Sequence, residues 1–90
     1  MANNVQAVSI EKVLKHYNLL LSFEPLPNGF IGKCPIHNGD NPSHFIVDTS
    51  DNSWVCHGSC SKRGDVVDFV MQKENVNRKR AMARLREWFP

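Results

Sequence analysis

No stretch of this sequence is apolar for long. The longest run, Leu19 to Leu21 with Phe23 beyond it, falls far short of the roughly 20 residues a membrane helix needs, so no helix spanning a bilayer is expected. Cysteine is scarce and odd in number: three among 90 residues cannot form a closed set of intramolecular disulfides. No charged start, apolar core and small-residue cleavage site precedes them, and the reducing cytoplasm is the expected compartment. Paired carboxylates are missing as well. Without an Asp-x-Asp pair or a His-x-Glu, the sequence lacks the residues that hold divalent ions for phosphoryl transfer or activate water in deaminases.

A domain of this size is also short of core. It buries only about 60–65% of the surface that its unfolded chain exposes, and chains this small commonly need a staple. Charge is unevenly spread. Residues 1–60 hold three Lys and five Asp or Glu, a balance of −2, whereas residues 61–90 hold eight Lys or Arg and four acids, a balance of +4. A basic C-terminal third suits contact with nucleic-acid phosphates, and equally suits a solvated helix face.

Local patterns predict an α+β chain, a single domain over residues 1–90. Ser9 can cap a helix over about 9–17, in which Ile10, Val13, Leu14 and Tyr17 form one apolar stripe. Pro25-Leu26-Pro27-Asn28-Gly29 stops helix formation, and its Asn-Gly favours the positive-φ turn of a tight hairpin. Three short antiparallel strands are expected, near 30–33, 44–48 and 53–56, within a ribbon over about 27–62. Two amphipathic helices should follow, over about 65–74 and 77–89, the second capped by Asn77.

The chemistry concentrates in Cys34-Pro35-Ile36-His37 and, after eighteen residues, Cys56-His57-Gly58-Ser59-Cys60. Two short loops, each giving two ligands, can build the closed tetrahedron typical of structural zinc, so Cys34, His37, Cys56 and Cys60 are the predicted ligands of one ion. His57 and His44 remain rival ligands. A closed set leaves no coordination position for water, so the ion is expected to be structural.

With those residues in place, the sequence resembles the N-terminal zinc-binding domain of bacterial and phage DnaG-type DNA primases. The resemblance rests on the helix Ile10 to Tyr17, Cys34-Pro35-Ile36-His37-Asn38, Asn41-Pro42-Ser43, Trp54-Val55-Cys56, Cys60 and Gly64-Asp65-Val66-Val67-Asp68-Phe69. Two departures, the wider spacing of Cys56 and Cys60 and His44 directly after Pro-Ser, fit a phage or mobile-element relative. The resemblance implies a non-catalytic module that recognises single-stranded DNA template during primer synthesis, beside a separate catalytic domain, with a replicative helicase as a further candidate partner. Toward DNA, Lys33, Lys62 and Arg63 supply cations near the knuckles, and Trp54 is the candidate stacking platform; Phe30 and Phe45 are expected mainly in the core. The rival class is a docking or transcription-regulatory ribbon that meets a protein through Leu19 to Leu21 or Trp88 and Phe89.

Overall fold

The structure, a computed structural model, describes residues 8–37, 39–58 and 61–89. Among these the chain is α+β, with helices α1 (Ile10–His16), α2 (Val66–Glu74) and α3 (Arg78–Trp88). Its strands are β1 (Glu24–Leu26), β2 (Gly29–Gly32), β3 (Phe45–Asp48), β4 (Ser53–Cys56) and β5 (Arg63–Gly64). They form one antiparallel sheet in sequence order. The sheet therefore has five strands, not the expected three. β1 escapes sequence reading because Pro25 sits inside it, and proline is tolerated there only because β1 is an edge strand that pairs on one side. β5 is two residues long and forms where the chain returns along β4, the Cys56 amide donating to the Lys62 carbonyl at 2.7 Å.

The first hairpin also differs from the positive-φ turn expected at Asn28-Gly29. Leu26 pairs with Gly29, so the turn is Pro27-Asn28, and neither Asn28 nor Gly29 has a positive φ. Pro27 presets the first turn residue at negative φ. Gly29 serves a different need: a Cβ there would stand 1.8 Å from the Val47 carbonyl oxygen on β3.

Period-two alternation gives the sheet two faces. Phe45, Val47, Trp54 and Cys56 point inward, while Ile46, Asp48, Ser53 and Val55 face outward and are only half-buried. On the inner face the Phe45 and Trp54 rings stack with centroids 5.5 Å apart, and Phe69 of α2 meets both edge-on at 6.0 and 5.9 Å. Ile10, Val13 and Leu14 of α1, and Val66, Val67 and Val70 of α2, complete the core; Ala81 and Leu85 bring α3 against it.

Helix ends are fixed by side chains. Asp65 and Asp68 close a reciprocal capping box on α2, and Asn77 accepts from the Arg80 amide at 2.9 Å to cap α3. At α1, Ser9 accepts from the Glu11 amide, but the free Ile10 amide is taken by Asn52 Oδ1 at 2.7 Å, from the turn between β3 and β4. Asn52 Nδ2 donates to the Val8 carbonyl, so one turn residue clamps α1 to the sheet. The three helices meet where the Tyr17 hydroxyl donates to Glu74 at 2.6 Å and Glu74 faces Arg84; burial, then the bond to Glu74, pushes the Tyr17 phenol above its usual range. No helix among the described residues is long and apolar enough to cross a membrane.

Candidate metal centre and nucleic-acid interface

The knuckles lie at one end of the sheet. Cys34 follows β2, the chain turns so that the Gly39 amide donates to the Cys34 carbonyl at 3.0 Å, and His37 stands within that turn. Cys56 is the last residue of β4 and lies opposite Phe45. Both sulfurs belong to buried residues, Cys34 at 1% and Cys56 at 2% exposure, and His37 is half-buried. The ligand atoms of Cys34, His37 and Cys56 all lie within 4.8 Å of one another.

That geometry suits zinc. With Zn–S near 2.3 Å and Zn–N near 2.0–2.1 Å, a tetrahedron sets its sulfur and nitrogen corners roughly 3.6 Å apart. Cys56 Sγ and His37 Nδ1 are 3.7 Å apart. A histidine binding through Nδ1 carries its proton on Nε2. The Gly58 amide donates to Cys56 Sγ at 3.3 Å, the kind of outer bond that stabilises a thiolate ligand. Gly58 also makes room for two rings, since a Cβ there would fall 2.8 Å from His44 Nδ1 and 3.2 Å from His37 Cε1. Cys60 lies outside the described residues. Among those described, neither His44 nor His57 joins the cluster; His57 is exposed, and its backbone amide donates to the His44 carbonyl at 2.7 Å.

The predicted DNA-contacting residues separate. Lys33, Lys62 and Arg63 are exposed: Lys33 lies between β2 and Cys34, Lys62 directly precedes β5, and Arg63 is in β5 opposite Val55. The Lys62 ammonium donates to Gln72 of α2 at 2.7 Å. Trp54 is a correction. Its ring is 2% exposed, stacked on Phe45, and its indole N–H donates to the Asp65 carbonyl at 2.8 Å, so it holds the core together and offers no face for a base. Phe45 is fully buried and Phe30 half-buried against the core.

What sequence reasoning missed is the outer face. Register places Glu24, Ile31, Ile46, Val55 and Arg63 in one row across all five strands, apolar in the middle and basic at the β5 edge. A groove of about 590 Å³ runs over this face past Ile46, Val55, His57 and Arg63. Alternation along β3 and β4 marks Ile46 and Val55 as outward, but only the pairing of β5 brings Arg63 beside them.

A family model described as the CHC2 zinc finger matches residues 1–89. A DNA primase of Borreliella burgdorferi is 38% identical over 50 residues, which is 56% of this chain and 9% of that primase. A crystal structure of the Aquifex aeolicus primase, comprising its zinc-binding and RNA polymerase domains, superposes with a TM-score of 0.78 at 26% identity. That match covers 99% of this chain and 22% of the Aquifex chain. The chain thus spans less than a quarter of the primases it resembles.

Proposed function

This chain belongs to the CHC2 zinc-finger family of primases, and on that premise we propose that it is the module that binds single-stranded template DNA for primer synthesis, built on one structural zinc ion. Cys34, His37 and Cys56 supply three ligands, and Cys60 the fourth. Lys33, Lys62 and Arg63 take template phosphates. A primase catalytic domain and a replicative helicase are its proposed protein partners, and the chemistry of nucleotide addition belongs to the catalytic domain.

One observation carries this reading. The Cys-His-Cys cluster lies at the end of the sheet where Lys33 follows β2, and Lys62 and Arg63 lie at the β5 edge, so three exposed cations accompany the knuckles. Phosphate contacts of this kind position a strand and weaken steeply with added salt. Replacing Lys62 and Arg63 together by Glu should abolish binding of a labelled single-stranded oligonucleotide, read by fluorescence anisotropy across a salt series, with zinc content unchanged. Retained low-salt affinity would remove this edge from the site.

Leu21 favours a second reading, docking of a protein, because its side chain is fully exposed beside the half-buried Leu19 and Leu20. Apolar docking barely responds to salt, so the same series separates the two.

A further inference from the structure

The last two helices form a unit that neither the metal centre nor the sheet uses. α2 ends at Glu74, Asn75 takes the left-handed conformation at φ 55°, and Asn77 already caps α3, so a three-residue turn joins the helices. A helix, a short turn and a second, exposed helix is one of the arrangements by which proteins set a helix against a DNA duplex. That likeness alone says nothing about function; the charge on α3 does.

α3 carries Arg78, Lys79, Arg80, Arg84 and Arg86 against a single acid, Glu87. The first three fill its first turn, where the helix dipole disfavours cations and no acid offsets them. Among the described residues, only Arg84 of the five lies within ion-pair distance of an acid, Glu74. Helix stability therefore gives no reason for the other four. Lys79 and Arg86 stand seven residues, or about two turns, apart, which sets them on one stripe roughly 10 Å long. Ala83, exposed between them, keeps the middle of the stripe low, and the exposed Arg80 flanks it. The opposite side of the helix, Ala81 and Leu85, is fully buried. Asn77 fixes the start of α3, Arg84 faces Glu74 at 3.8 Å, and Trp88 stacks on His16 of α1 at 4.0 Å, so the spacing of the cations is set before anything binds.

The stripe holds no aromatic side chain. Single-strand sites combine cations with aromatic faces on which unstacked bases rest, and α3 turns its own aromatics, Trp88 and Phe89, toward His16 of α1. A double helix keeps its bases stacked inside and presents one phosphate charge per about 1.7 Å of axis. Its major groove, about 12 Å wide, separates flanking phosphates by a span that the Lys79 to Arg86 stripe matches.

We propose that α3 is a second nucleic-acid surface, which holds the phosphate backbone of double-stranded DNA across one groove without reading its sequence. It belongs to the helical layer, because α3 packs on α2 and on the end of α1, and these helices cover the inner face of the sheet. The inference does not depend on the single-strand reading, whose cations lie beside the knuckles and at the β5 edge.

The test uses the zinc-loaded full chain and labelled DNA duplexes of two unrelated sequences, read by anisotropy across a salt series. Both duplexes should bind alike. Lys79→Glu with Arg86→Glu should weaken duplex binding by about tenfold or more, and Lys79→Gln with Arg86→Gln should lower the slope of log affinity against log salt by about two. Lys12→Glu with Lys15→Glu, on exposed positions of α1, makes the same change in net charge and should leave duplex affinity within about twofold. Lys62→Glu with Arg63→Glu should also leave it in place, which separates this surface from the single-strand edge. Zinc content and circular dichroism verify folding in every variant. If the unaltered protein shows no salt-sensitive duplex binding, the proposal is overturned and the stripe is left to an acidic protein partner. An equal loss in the α1 control would show net charge alone at work and would overturn it too, as would a loss confined to the Lys62 and Arg63 variant. Failure of single-strand binding bears on none of these outcomes.

Discussion

Single residues here divide labour between holding the fold and presenting charge, and Trp54 shows how the division is decided. In sequence it is an aromatic beside a knuckle, eligible both for stacking on bases and for packing. Its indole N–H settles the matter, because a buried donor needs a partner and the Asp65 carbonyl at the start of α2 is 2.8 Å away. Trp54 therefore fastens β4 to α2. Trp54→Phe should lower unfolding free energy by about 1–3 kcal/mol, through the lost hydrogen bond and ring volume, the Asp65 carbonyl keeping the Phe69 amide. The folded variant should keep its affinity for single-stranded DNA within about twofold, as titrations below the denaturation midpoint can show; a tenfold loss would return Trp54 to the binding surface.

The helices and strands differ in how much of them sequence reveals. α2 and α3 are marked by Asp65, Asp68 and Asn77, whose capping side chains act within three or four residues of themselves, so the signal is local. β3 and β4 are marked by alternation. β1 and β5 carry no such mark, because one contains Pro25 and the other is two residues long; each exists only through its partner strand. The N-terminus of α1 is similar, since its first amide is satisfied by Asn52, 42 residues away in sequence. The first hairpin exposes a finer limit. Asn-Gly suggests a positive-φ turn, but here glycine is required by the Val47 carbonyl across the sheet. Gly29→Ala should force β2 and β3 apart and cost about 1–3 kcal/mol of stability. A thermal melt indistinguishable from the unaltered protein would show that the β2–β3 spacing yields freely at this point.

At the scale of the whole molecule, the metal centre connects the layers. Cys34 and His37 follow β2, and Cys56 ends β4, so an ion held between them ties strands that β3 otherwise separates. Cys34, His37 and Cys56 stand out in sequence through local spacing, while their convergence depends on the sheet bringing β2 and β4 to the same end. The core is a single aromatic and aliphatic layer between this sheet and the helices. For so small a core a structural zinc is a large stabilising contribution, with apparent binding energies of about 10–16 kcal/mol in comparable peptides. With the proposed ligands the template reading depends on that ion, because Lys33 directly precedes Cys34 in sequence, and Lys62 and Arg63 closely follow Cys60.

The most direct measurement is zinc analysis combined with X-ray absorption at the zinc edge, on protein purified without added metal. The account predicts one equivalent of zinc with three sulfur neighbours near 2.3 Å and one nitrogen neighbour near 2.0–2.1 Å, consistent with Cys34, Cys56, Cys60 and His37. Absence of zinc, or a shell of two sulfurs with a water oxygen, would contradict the closed structural site on which the rest is built.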